Sequence, residues 1–103
     1  MLEKLEKKLG VSFQTKHYLT EALTHCSYTG HLKQQNNKEA PLNNERLEFF
    51  GDAILKCVCS IYLFEKYPQE NEGTLTKKRA HLISDEALSL VATWYDISEF
   101  ILI

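Results

Sequence analysis

One stretch constrains this chain more than any other. Residues 44–66 are apolar around most of a helical circumference and still carry a row of acids. Leu47, Phe50, Ile54, Val58 and Ile61 recur at helical spacing on one side, while Phe49, Leu55, Cys59 and Leu63 flank Glu45, Glu48 and Asp52. At roughly 100° per residue the three carboxylates fall within about 60° of one another. A helix this apolar belongs at the centre of a fold or at an interface. Like charges at such spacing repel by about 0.2–0.5 kcal/mol per pair. Two readings follow. The row is a site for a hard divalent cation, which takes carboxylate oxygens and neutralises charge in phosphodiester hydrolysis. Alternatively it is a solvated stripe, with Asp52 paired to Lys56 one turn on and Arg46 nearby.

The rest of the chain also reads as helix. Leu2, Leu5 and Leu9 share a face, and Gly10 ends that run. Val11, Ser12 and Phe13 form a connector whose apolar residues pack inward. Thr15 is placed to cap a helix over 16–25, with Leu19, Ala22 and Leu23 inward. Residues 29–42 are polar, lack periodicity and read as an exposed loop. Asn43 or Asn44 caps the long helix, and Tyr67-Pro68 ends it. Thr74 is placed to cap a helix over 75–83, and Ser84 one over 85–95, with Asp85 and Glu86 in its first turn. No segment alternates like a strand. The expected architecture is all-α, a single domain over residues 1–103.

Charge is unevenly spread. Residues 1–79 hold all 12 Lys and Arg against 10 acids, whereas 80–103 hold four acids and no Lys or Arg. Lys77, Lys78 and Arg79, with His81 behind them, form the one basic cluster of the chain's C-terminal half. They read either as weak phosphate contacts or as a solvated face. His25 and His81 have no ligand-spaced partner and read as structural. Cys26, Cys57 and Cys59 are odd in number and wrongly spaced for zinc. They read as reduced, buried thiols in a reducing, cytoplasmic setting. No apolar run is long enough to span a membrane.

Residues 44–55, Asn-Glu-Arg-Leu-Glu-Phe-Phe-Gly-Asp-Ala-Ile-Leu, closely resemble the signature of the ribonuclease III endonuclease domain. Ala22-Leu23-Thr24-His25-Cys26-Ser27-Tyr28 resembles the family's upstream segment. Glu72-Gly73-Thr74-Leu75-Thr76, then Arg79-Ala80, resembles its downstream one. A long signature with two flanking motifs in order is far more specific than a lone short motif. The resemblance implies a helical, homodimeric domain that cuts double-stranded RNA with Mg²⁺, Mn²⁺ being a possible substitute. By position, Glu48 matches the family's metal-ligating glutamate and Asp52 its catalytic, metal-binding aspartate. Glu45 matches the first acid of the signature, and Glu72 an additional acid of the site. Phe49 matches a residue at the homodimer interface. Lys77, Lys78 and Arg79 become candidate RNA phosphate contacts.

The resemblance departs in one place. The family carries a second acidic pair, Asp-x-x-Glu, on a later helix. After residue 86 this chain has only Asp96-Ile97-Ser98-Glu99, which lies too early and reads as a turn. A double-stranded-RNA-binding domain is also missing, and the apolar ending Phe100-Ile101-Leu102-Ile103 reads as core without its continuation. Two expectations therefore stand. One is an endoribonuclease known by its N-terminal part. The other is a catalytically incomplete module of the same fold that dimerises or binds RNA.

Overall fold

The computed structural model describes residues 1–34 and 42–103. Six helices follow in order: α1 (Leu2–Leu9), α2 (Lys16–Ala22), α3 (Cys26–Gln34), α4 (Glu45–Lys66), α5 (Glu72–Leu82) and α6 (Asp85–Trp94). A 3₁₀ turn, Ile97–Phe100, comes last. Among the described residues there is no strand, only a single parallel bridge between Thr24 and Leu102. The all-α expectation holds.

The core is small and joins the first two helices to the C-terminal 3₁₀ turn. Leu5, Leu19, Leu23 and Phe100 are buried together, with Leu2, Leu9, Phe13 and Ile97 packed against them. Burying each such side chain stabilises by about 1.5–3 kcal/mol. Gly10 adopts φ 73°, the left-handed conformation that closes α1, and its N–H reaches the Glu6 and Lys7 carbonyls. Phe13 packs inward as expected, but Val11 is half exposed. Asp96 also takes a left-handed conformation, φ 53°, and pairs with Lys8 at 2.5 Å, fixing the 3₁₀ turn against α1.

Three boundaries differ from the sequence reading. α2 stops at Ala22 rather than 25, because residues 23–25 leave the helix to bond elsewhere. Residues 29–34 of the expected loop are the last two-thirds of α3; residues 35–41 of it lie outside the described residues. Asn71, not Thr74, caps α5: its side chain accepts the Thr74 N–H at 2.9 Å. Ser84 caps α6 as expected, accepting the Ala87 N–H at 3.2 Å. The segment from Asp96 to Glu99 is a turn, as read.

Within α4 only Leu63 is buried, with Leu47, Leu55 and Cys59 half-buried. Phe50, Ile54, Val58 and Ile61, on the side expected to meet either the centre of the fold or an interface, are 47–61% exposed. The thiols differ too: Cys26 and Cys57 are exposed, and all three cysteines are free. The cause is that α4 packs chiefly on α5 along its other side, with a smaller contact to α2.

α1 is joined to its connector by one buried carboxylate. Glu6 is 5% exposed. Both its oxygens accept from Lys16 Nζ at 2.7 Å, and Oε2 also accepts the Phe13 N–H at 2.6 Å. The Lys16 ammonium, then the Phe13 N–H, hold the Glu6 carboxyl below its usual range. A carboxylate depressed on folding contributes stability fully above its unfolded pKa of about 4.3 and loses it as pH falls through the lower folded value. Thermal melts of wild type and Glu6→Gln should therefore separate at neutral pH and converge as pH drops below about 4. A gap that does not change with pH would show that the charge is not what matters.

Candidate active site

The N-terminus of α4 is stitched to the end of α2. The Asn44 N–H donates to the Thr24 carbonyl at 2.9 Å, and Asn44 Nδ2 to the Ala22 carbonyl at 3.3 Å. Asn43 Oδ1 accepts the Glu45 N–H at 3.0 Å, while Asn43 Nδ2 donates to Thr29 Oγ1 at 3.2 Å. Thr29 and Thr24 are buried, Thr24 entirely. The expected cap is thus divided: Asn44 holds the position and Asn43 makes the capping bond. The two asparagines are legible in the sequence but the clamp is not, because its partners lie 14 to 22 residues upstream.

This clamp fixes the row that follows. Glu45, Glu48 and Asp52 are all exposed on α4. They form the first half of a single seam along the helix. Its second half, Leu55, Cys59 and Leu63, turns inward against α5. Among the described residues the ion pairs are Met1 with Glu3, Lys8 with Asp96 and Lys16 with Glu6. The Asp52–Lys56 pair required by the solvated-stripe reading is not among them. Nor does any group of three or more His, Cys, Asp or Glu among the described residues converge closely enough to hold a metal ion.

Glu72 stands apart from the row. It lines a cleft of about 450 Å³ between α4 and α5, with Ser60, Leu63, Phe64, Glu70, Leu75, Thr76 and Arg79. Its Oε1 accepts from Thr76 Oγ1 at 3.0 Å. Ser60 lies eight residues beyond Asp52, about 12 Å along the helix axis. One chain therefore does not bring Glu72 to the carboxylates of the α4 N-terminus. The basic trio is also divided. Arg79 is half-buried and donates to Ser60 Oγ at 2.9 Å. Lys78 lies over the Tyr67 ring, 4.2 Å from its centroid. Lys77 is exposed. Phe49 is 83% exposed beside the acids.

The result is an all-α domain whose longest helix presents unneutralised hard-oxygen donors from a clamped N-terminus. A ribonuclease-III-like family profile matches residues 15–103, and the chain belongs to that family. It is 49% identical over 102 residues to a protein named Ribonuclease 3 from a Nitratiruptor species, covering 99% of this chain and 41% of the relative. It is 43% identical over 99 residues to a Ribonuclease 3 from Glaesserella parasuis, covering 96% of this chain and 40% of the relative. The chain thus spans about two-fifths of the length of these curated relatives. Two solved structures of the nuclease domain of ribonuclease III from Campylobacter jejuni are similar, each 40% identical. One, concerned with flexibility in the region involved in dimer formation of that domain, gives a TM-score of 0.86 over all of this chain and 65% of that one. The other gives 0.81 over 98% of this chain and 62% of that one.

The cofactor this family implies is a divalent metal ion. The donors fit one. Glu48 and Asp52 are hard carboxylates, exposed and in no ion pair among the described residues. An ion such as Mg²⁺ needs only one or two protein carboxylates when waters and phosphate complete its shell.

Asn43→Ala removes the acceptor of the Glu45 N–H and the donor to Thr29 together. It should cost about 0.5–2 kcal/mol, the range for losing a capping side chain. Urea unfolding followed by circular dichroism measures this; no loss would mean that the clamp rests on Asn44 alone.

Proposed function

We propose that this chain supplies the signature half of a nuclease domain that hydrolyses phosphodiester bonds in double-stranded RNA. The observation that carries the reading is the pair Glu48 and Asp52, exposed and in no ion pair among the described residues, within a family match over most of the chain. Glu48 and Asp52 would hold Mg²⁺, or Mn²⁺ in its place. The bound ion would supply Lewis-acid stabilisation of phosphate charge and a more acidic water. The chain's own part is to aim these two carboxylates, one turn apart, from a helix whose start is fixed by Asn43 and Asn44. Glu45, in the first turn, adds negative charge beside them and can orient water. RNA processing in the cytoplasm is the setting that accords with this assignment. No helix among the described residues is long and apolar enough to cross a membrane.

A homodimer completes the proposal. Phe49 lies next to the acids and is almost wholly exposed. A second chain seated there would run its own α4 alongside this one. If the two helices are antiparallel, the α4–α5 end of one chain, with its Glu72, comes beside the carboxylate row of the other. That is how Glu72 can join a site it does not reach within its own chain.

A second reading has its own support. No three-ligand group forms among the described residues, which favours a catalytically incomplete module that dimerises or binds RNA.

Cleavage of a long RNA duplex with and without Mg²⁺ separates the two. For the enzyme, Asp52→Asn and Glu48→Ala should each slow cleavage by at least about 100-fold, since even groups one step removed from a metal are worth about 10–100-fold. Undiminished cleavage by both variants would remove these residues from the site. Duplex binding without cleavage under Mg²⁺ or Mn²⁺ would establish the module. For the dimer, sedimentation velocity of Phe49→Asp should show a shift to monomer with unchanged helix content; a variant that stays dimeric places the interface elsewhere.

A further inference from the structure

At the corner where α4 gives way to α5, two lysines and two tyrosines are assembled. Lys66 Nζ donates to the Tyr62 hydroxyl at 2.8 Å and lies 5.2 Å from that ring's centroid. The same ammonium is 5.7 Å from the Tyr67 centroid, and Lys78 Nζ is 4.2 Å from it. Two cations from different helices thus address one ring. Tyr62 and Lys66 are exposed; Tyr67 and Lys78 are half-buried.

Among the described residues no carboxylate neutralises the two ammonium groups of this corner. Lys8 and Lys16 are spent on Asp96 and Glu6. Among the described residues neither Lys66 nor Lys78 is in an ion pair, although Glu65, Glu70 and Glu72 are close in sequence. An aromatic face positions an ammonium without cancelling its charge. The Tyr62 hydroxyl does the same for Lys66. Held in this way, the lysines have less rotamer freedom to lose on meeting an anion. The α4 carboxyl end accounts for Lys66 through the helix dipole, but Lys78 lies within α5 and has no such reason to be there.

We propose that Lys66 and Lys78, set on Tyr67 and Tyr62, form a contact for the backbone phosphates of duplex RNA. The site rests on the substrate reading above and is separate from the acids of its own chain: Lys66 is fourteen residues beyond Asp52, about 21 Å along α4. It replaces the linear basic trio with a spatial pair. Lys78 stays, Lys66 joins, and Arg79 leaves because its guanidinium is turned to Ser60. The ligand is the phosphodiester backbone, read without regard to base sequence.

The test is the salt dependence of binding between the full chain and a long RNA duplex, in Mg²⁺-free buffer so that nothing is cut. Each phosphate contact contributes about 0.7–0.9 to the slope of log affinity against log salt. Lys66→Gln with Lys78→Gln should lower the slope by about 1.5 and weaken binding at low salt at least fivefold. Lys66→Arg with Lys78→Arg should restore both. Lys4→Gln with Lys7→Gln, an equal charge change on α1, should leave the slope nearly as it was. An unchanged slope in the first double variant, or an equal loss in the α1 control, overturns this site while leaving the substrate reading intact. No duplex binding by the wild type overturns both.

Discussion

The structure depends on a short run of backbone at residues 23–25. Leu23 accepts the Leu102 N–H at 2.9 Å, and the His25 N–H donates to Leu102 at 2.8 Å. Between them Thr24 is wholly buried. Its hydroxyl donates to the Thr20 carbonyl at 2.6 Å, and its own carbonyl receives Asn44. Three parts of the chain distant in sequence meet at one strand-like step. These bonds matter because the apolar core is small and includes no residue of α4. The helix that carries the acids is located by polar contacts at its start and by Leu63 near its end. A buried backbone group left unpaired costs about 1–3 kcal/mol, so displacing any one segment exposes the others to that penalty.

The electrostatics of α4 separate its three acids. Glu45 and Glu48 occupy the first turn, where unsatisfied N–H groups favour negative charge by about 0.3–1 kcal/mol each. That exceeds the mutual repulsion of about 0.2–0.5 kcal/mol. Those two residues need no ligand to be tolerated. Asp52 is different. It lies beyond the reach of the helix terminus and has no lysine partner among the described residues. Of the three, it is the carboxylate whose position the fold does not itself account for.

Legibility in the sequence followed the range of the forces involved. α1, α4 and α6 were readable because apolar spacing, a terminal glycine, a proline and a capping serine are all local signals. α3 was not, since Tyr28 and Leu32 give its residues little periodicity and their polar character resembles a loop. Threonine suits a capping role, so the local signal points to Thr74. The structure prefers Asn71 three residues earlier, leaving Thr74 as the donor of the bond. The α2 boundary was misplaced for a non-local reason: residues 23–25 leave the helix to meet residue 102, which no window along the chain can register. The acidic row itself was legible as a pattern. That Glu72 stands on the other side of a cleft from its end was not, because spacing along a sequence says nothing of where the next helix turns back.

The apolar faces left open on α4 have unequal consequences. Phe49 is about 60° around the helix from Asp52 and about 100° from Glu48. A surface seated on it forms a wall beside the acids, lowers the local dielectric and strengthens any charge interaction there. Phe50, Ile54, Val58 and Ile61 lie about 120–180° from Asp52. Covering them would bury four large side chains, stabilising by several kcal/mol at about 1.5–3 each, while leaving the acids open to solvent. Cover on the far face therefore bears on how firmly α4 is held, and cover at Phe49 on how the carboxylates behave. Phe49 is about 100° around the helix from Phe50 and about 180° from Val58, so a surface seated near Phe50 reaches both regions, whereas one centred on Val58 holds the helix and leaves the acids as they are.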